Sequence, residues 1–278
     1  MDFSYLGLDD FLLNALREDI GAGDITTNCC VPAEAVSSGF FKAKESGVIC
    51  GLGVASRVFG LLDAAVILTP LVKEGEYVET GDTIAGISGP SRSILTGERT
   101  ALNLLQHMSG VATRTFEAVK AVSGTGSKIV DTRKTKPGLR VLDKYAVRCG
   151  GGLNHRFNLS DGVLIKDNHI AASGGISEAV GRARSGCPHT LKIEVETETI
   201  GQVRDALSAG ADIIMLDNMP LETMAEAVKL IGGRALTEAS GNMGERDLKA
   251  VAGTGVDFIS IGALTHSVKA FDISLKFG

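Results

Sequence analysis

The chain has 278 residues, of which 44% are hydrophobic and 22% charged, and its net charge at pH 7 is −5. This balance excludes a disordered or fibrous chain, and the acidic total excludes a general polyanion binder. Thirty-five glycines, six prolines and no tryptophan describe an aliphatic, turn-rich α/β protein, and no apolar run reaches the roughly 18 residues of a membrane span.

Taken in chain order, residues 8–19 (LDDFLLNALRED) repeat apolar positions at helical spacing behind an acidic start, which predicts a helix. Short β-like runs follow, SSGFFKAKESGVICG, AAVILTPLV and VKEGEYVETGDTIAGISG, and predict a small antiparallel α+β unit. The last run is spaced like the hairpins of lipoyl or biotinyl carrier domains. No lysine stands at the matching place after Gly81 to carry a prosthetic group, so it is read as a structural hairpin. GERTALNLLQHMSGVATRTFEAVKAV reads as one or two helices, broken near Ser109–Gly110.

From there the rhythm changes. Strands are predicted at 128–131, 162–166, 191–196, 212–217, 234–240 and 257–262, with a seventh around 153–158. Helical patterns at 176–185, 199–209, 221–231 and 245–253 separate the later ones. Alternating strands and helices imply parallel βα units, and strands this apolar imply a sheet covered on both faces. The expected fold is α/β, an N-terminal α+β domain followed by an open (β/α) barrel of six or seven parallel strands. The expected boundaries are 1–106, joined by the tail 267–278, and 107–266.

In such barrels the chemistry lies at the C-terminal ends of the strands. Here those ends read Asp131–Thr132–Arg133–Lys134, Lys166–Asp167, Glu194 and Glu196, Asp217–Asn218, Glu238 to Gly241, and Gly262. Residues 128–169 alone carry nine Lys/Arg against four acids. A local excess of cations on an acidic chain marks a focused site for a small anion, not a nucleic-acid face. Arg133, Lys134 and Lys166, with His155 and Arg156 from the intervening NHR, form the cationic half; arginine forks suit carboxylates or phosphates. Glu196 and Asp217 form the anionic half, suited to Mg²⁺, sugar hydroxyls or a developing cation. Ser240, Gly241, Gly262 and His266 follow the last two strands, where barrels often hold a phosphate.

The five cysteines, Cys29, Cys30, Cys50, Cys149 and Cys187, include no CxxC pair and are expected to be reduced thiols of a cytoplasmic protein. The spacing of Cys149, His155 and His169 matches no common zinc frame. KDNH gives His169 a structural hydrogen bond as its expected role.

GERTALNLLQHMSGVAT, DTRKTKPGLRVLDKYAVRCGGGLNHR, LIKDNH, EVE, DIIMLDN, EASG and ISIGALTHS occur in the order seen in quinolinate phosphoribosyltransferases, and the chain resembles that family from about residue 10 to its end. The resemblance implies a type II phosphoribosyltransferase fold and a homodimer with composite active sites. It implies transfer of the phosphoribosyl group of phosphoribosyl pyrophosphate to quinolinate with decarboxylation, with Mg²⁺, giving nicotinate mononucleotide, pyrophosphate and CO₂ for NAD biosynthesis. Carried over residue by residue, Lys134, Lys166, Glu196 and Asp217 are catalytic, and Glu196 and Asp217 hold the metal. Arg99, Arg133, His155, Arg156, Lys166, Ser240, Gly241, Gly262 and His266 bind substrates, with Arg99 reaching into the neighbouring subunit's site. Two alternatives stay open at this point: a paralogue associated with molybdate transport, and a Schiff-base aldolase using Lys134 or Lys166. Neither nucleic acid nor membrane is an expected partner.

Overall fold

A computed structural model describes residues 7–278. The chain divides into two units. The first comprises the chain up to Arg114 together with Val141–Gly151 and Val268–Gly278, and the second comprises Thr115–Arg140 and Gly152–Ser267. Residues 141–151, expected within the barrel, therefore cluster with the first unit.

The first unit begins with α1 (Leu8–Ile20), which buries Leu8, Leu12 and Leu16 along one stripe, and α2 (Ile25–Cys30), capped by the Asp24 carboxylate accepting the Thr27 amide. β1 (Val36–Ala43), β2 (Gly47–Val48), α3 (Leu52–Leu62), β3 (Ile67–Pro70), β4 (Tyr77–Val78) and β5 (Thr83–Pro90) follow, and the C-terminal strand Ile273–Phe277 returns to pair with β1. The antiparallel order is the C-terminal strand, β1, β5, β3. β4 pairs with β2 in a separate two-stranded sheet. The expected hairpin over residues 72–89 is thus two strands that serve different sheets.

The helical pattern expected to break near Ser109–Gly110 is one continuous helix, α4 (Ser91–Ala121). Ser109 and Gly110 sit there for contact reasons. Ser109 Oγ bonds both the N–H and the carbonyl of Cys50, and a Cβ at Gly110 would run into the Lys269 carbonyl. Tertiary approach outweighs glycine's helix penalty of about 1 kcal/mol.

The second unit carries β6 (Lys128–Val130), α5 (Arg140–Cys149, assigned to the first unit from Val141), β7 (Val163–Ile165), α6 (Asp167–Ser173), α7 (Ile176–Gly186) and β8 (Ile193–Thr197). It continues with α8 (Ile200–Ser208), β9 (Ile213–Asp217), α9 (Leu221–Ile231), β10 (Leu236–Ser240), α10 (Leu248–Ala252), β11 (Phe258–Ser260) and α11 (Ala263–His266). The six strands form one parallel sheet ordered β6-β11-β10-β9-β8-β7.

The seventh strand expected at 153–158 is reduced to a single bridge between Leu153 and Val130. Beyond Leu153 the ladder is diverted by buried Asp131, whose carboxylate takes the His155 N–H at 2.8 Å and the Asn154 amide at 2.7 Å.

Successive strand residues alternate between two faces. Ile129, Ile165, Ile193, Val195, Ile214, Leu216, Ala239 and Ile259 share one apolar core with side chains of α7, α8 and α9. The opposite face of the sheet carries Glu194, Glu196, Asp217, Glu238, Ser240 and Ser260, with Met215 between Glu196 and Glu238 and with Asp217 beside Ser240. That polar face is where a ligand finds partners. Among the described residues, no helix is long and apolar enough to cross a membrane.

Candidate active site

The register explains how the polar residues meet. Glu196 lies beside Met215, which lies beside Glu238; one step toward the C-terminal end, Asp217 lies beside Ser240. A cavity of about 270 Å³ opens on this end, with Arg133, Lys134, His155, Arg156, Lys166 and Ser240 in its lining. A smaller one of about 110 Å³, shared through Lys134 and Ser240, is lined also by Gly241, Gly262 and His266. The sequence-predicted cations and the glycine-rich strand ends thus converge on adjoining cavities of one unit.

Each cation is held differently. Lys166 starts α6, where His169 Nδ1 accepts its N–H at 3.0 Å, and its Nζ pairs with Glu196 Oε2 at 2.8 Å. That contact engages Lys166, one of the two lysines the Schiff-base alternative would use, with Glu196. Arg133 follows β6, and its Nε is buried without a hydrogen-bond partner. A buried guanidinium N–H left unbonded is costly, and an incoming carboxylate would satisfy it. Lys134 is exposed, while its carbonyl accepts the Thr265 hydroxyl at 2.8 Å, which ties the loop after β6 to the start of α11.

Arg156 donates to the Gly162 carbonyl at 3.0 Å. Burial and, after it, the nearby Arg133 charge hold its pKa below the usual arginine value. Two guanidinium groups sharing one partly buried site repel each other until an anion joins them.

His155 is committed on both sides of its ring. Nδ1 accepts the Arg156 N–H at 2.7 Å, so Nε2 is the donor and meets Glu194 Oε2 at 3.0 Å, with Glu238 Oε1 at 3.7 Å. Burial, then the like charge of Glu194, pushes the Glu238 carboxyl up to about 8. Glu194 and Glu238 each keep one buried oxygen without a hydrogen bond.

Sequence reasoning set these two acids among the strand ends without giving them a role, and it did not place Arg140 in the site. Arg140 donates to the Arg133 carbonyl, the Phe157 carbonyl and Thr135 Oγ1, bracing the loops that carry Arg133 and Arg156. A signal for the acids was present: Glu194 and Glu196, like Glu238 and Ser240, are two apart and share a face.

Asp217 ends β9 and accepts the Asn218 side-chain amide at 2.7 Å. Asn218 has φ 54°, and it crowds Gly241, whose φ of 95° suits glycine. A Cβ at Gly241 would overlap both the side chain and the main chain of Asn218. Glu196 and Asp217 offer hard oxygen donors on neighbouring strands, the donor chemistry Mg²⁺ takes while keeping several waters. Arg99 lies on α4 in the first unit and is exposed.

Comparison with known proteins shows what the whole chain is similar to. The profile of the quinolinate phosphoribosyl transferase C-terminal domain matches residues 111–276, and that of the N-terminal domain matches residues 24–109. A Bacillus subtilis (strain 168) protein named "probable nicotinate-nucleotide pyrophosphorylase (carboxylating)" is 47% identical over 272 residues, covering 98% of this chain and 94% of its own. The crystal structure of NadC from Streptococcus pyogenes superposes with a TM-score of 0.93 at 45% identity, covering 99% of this chain and 98% of that one. The nicotinate-nucleotide pyrophosphorylase from Francisella tularensis gives 0.94 at 41% identity, covering 98% and 96%.

Proposed function

This chain belongs to the quinolinate phosphoribosyl transferase family, and on that premise we propose how its own residues serve the reaction. It is an enzyme that transfers the phosphoribosyl group of phosphoribosyl pyrophosphate to quinolinate with loss of CO₂, in NAD biosynthesis. The observation that carries the assignment of roles is the cavity where Arg133, Lys134, Arg156 and Lys166 converge beside the carboxylates Glu196 and Asp217.

Quinolinate carries two adjacent carboxylates. The unbonded Nε of Arg133 and the repelling Arg133–Arg156 pair supply the demand for them. His155 lines the same cavity, and its Nδ1 accepts the main-chain N–H of Arg156. The phosphate of the ribosyl donor fits the cavity lined by Ser240, Gly241, Gly262 and His266. Lys134 and Lys166 neutralise the departing pyrophosphate, and Glu196 and Asp217 hold the ribose hydroxyls as the anomeric carbon becomes cationic. Mg²⁺ held by Glu196 and Asp217 would screen the pyrophosphate charge.

Once the N-glycosidic bond forms, the ring nitrogen is cationic and draws the electron pair of the C–CO₂ bond into the ring. Protonation of that ring carbon completes the product. Positioning of the carboxylate therefore carries the decarboxylation.

The active form is a homodimer in which exposed Arg99 of one copy completes the site of the other, and its free thiols fit the reducing cytoplasm. Two measurements test this reading. Purified protein given quinolinate, phosphoribosyl pyrophosphate and Mg²⁺ should yield nicotinate mononucleotide, pyrophosphate and CO₂ in equal amounts; absence of that product contradicts it. Arg99→Ala and Arg133→Ala homodimers should each be nearly inactive, while exchanged dimers carrying one of each regain one intact site out of two. Activity that stays at background after confirmed exchange rules out sharing of Arg99.

A further inference from the structure

The first unit gathers a set of ligating side chains of its own from three separate segments. Cys50 lies between β2 and α3, Glu74 between β3 and β4, and Cys149 at the last position of α5. Their sulfur and carboxylate atoms all lie within 4.8 Å of one another. Cys50 is completely buried, and Cys149 and Glu74 are partly so.

Each ligand is held by its backbone surroundings. Both the N–H and the carbonyl of Cys50 bond to Ser109 Oγ, at 3.0 and 3.1 Å. The Glu74 carboxylate accepts the N–H groups of Gly51 and Gly53 at 2.8 and 3.2 Å, which orients it toward the residue preceding Gly51, Cys50 itself. Gly75, with φ 81°, lets the turn approach so closely that a Cβ there would stand 3.0 Å from the Cys149 carbonyl. Tyr145, one helical turn before Cys149, shares with Glu74 the lining of a cavity of about 670 Å³. This is larger than either cavity at the cationic site, and it meets the cluster at Glu74.

Two thiols and a carboxylate converging on one point are three donors that a single cation can bind together. We propose that Cys50, Glu74 and Cys149 form a binding site for a thiophilic divalent cation of the Zn²⁺ class. Zn–S bonds of about 2.3 Å and Zn–O bonds of about 2.0–2.2 Å in a tetrahedron place donors roughly 3.5–3.8 Å apart. Closing the present cluster to that size takes about 1 Å of side-chain movement. The fourth position falls to a water from the cavity or to the Tyr145 hydroxyl, and the two thiol protons leave to solvent on binding. Mg²⁺ prefers oxygen donors and is excluded by the two sulfurs.

The test uses the full chain in a Cys29→Ser/Cys30→Ser background, which removes the two exposed thiols. After phosphine reduction and desalting, the protein is titrated with Co²⁺ and the sulfur-to-cobalt charge-transfer absorption is followed. One equivalent of Co²⁺ per chain should produce the band, Zn²⁺ should displace it stoichiometrically, and excess Mg²⁺ should leave it unchanged. Cys149→Ser, at a helix end and only partly buried, should abolish the band while the far-ultraviolet circular dichroism is retained. Glu74→Gln should weaken Co²⁺ affinity by at least about tenfold. The proposal is overturned if no band forms, if Cys149→Ser binds as the parent does, or if a Cys50–Cys149 disulfide forms and its reduction restores no Co²⁺ uptake.

Discussion

In the antiparallel sheet of the first unit, β1 buries Phe41 and Ala43 on one face and leaves Val36 and Phe40 exposed on the alternate positions. The parallel sheet of the second unit also alternates, but both of its faces are covered. One is an apolar core against α7, α8 and α9, and the other is a row of acids and hydroxyls completed by Arg133, Arg156 and Lys166. In the first sheet alternation separates core from solvent; in the second it separates stability from chemistry. Burying Glu194 and Glu238 lowers stability, so the polar face is explained by what it binds.

Substitutions on the two faces should therefore fail in different ways. The largest effect is expected from Lys166→Ala, which removes a cation from the cavity and strands Glu196: activity should fall about 10³-fold or more, with the melting temperature nearly unchanged. Neighbouring residues on β9 make the sharpest pair. Leu216 is fully buried in the apolar core, and Leu216→Ala should cost about 3 kcal/mol in a denaturant titration while active-site titration of the folded fraction shows normal turnover. Asp217→Asn, one residue on, should do the opposite. It should lower kcat about 10²-fold, keep the quinolinate dissociation constant within a few-fold, and leave stability within about 1 kcal/mol. If Asp217→Asn abolishes quinolinate binding and spares single-turnover chemistry, the division between the two faces is drawn in the wrong place.

The smallest effect concerns Glu238, held near pKa 8 in the folded chain against an ordinary value of 4.5. Between those values the unfolded chain has lost a proton that the folded chain keeps, so this group makes stability fall as pH rises from about 4.5 to about 8. Below 4.5 both states are protonated and its contribution is constant. Glu238→Gln should flatten that fall and raise stability at pH 7 on the order of 1 kcal/mol. Parallel pH curves for parent and variant, measured by urea unfolding, would show that Glu238 ionises as readily in the folded chain as in the unfolded one.

Much of the barrel site was legible because strand ends are local features. Arg133, Lys134, Lys166, Glu196, Asp217, Ser240 and Gly262 each close a short apolar run, and a parallel sheet brings such ends together. What could not be read depends on contacts distant in sequence. Asp131 diverts Asn154 and His155 from the expected seventh strand, and the diverted loop carries His155 to Glu194 of β8, about 40 residues away in sequence. The helix break expected at Ser109–Gly110 failed because both residues answer to partners elsewhere in the chain, Cys50 and Lys269. Cys50 and Cys149 likewise lie within reach of each other although nothing in their spacing announces it.

The central claim is that the cationic face is built for two carboxylates. The direct measurement offers quinolinate and nicotinate in competition to the purified protein with phosphoribosyl pyrophosphate and Mg²⁺, and follows by isotope label which of them enters the mononucleotide. The account predicts discrimination of about 10³-fold or more in favour of quinolinate, because nicotinate leaves buried donors such as Arg133 Nε unpaired. Comparable incorporation of nicotinate would contradict it.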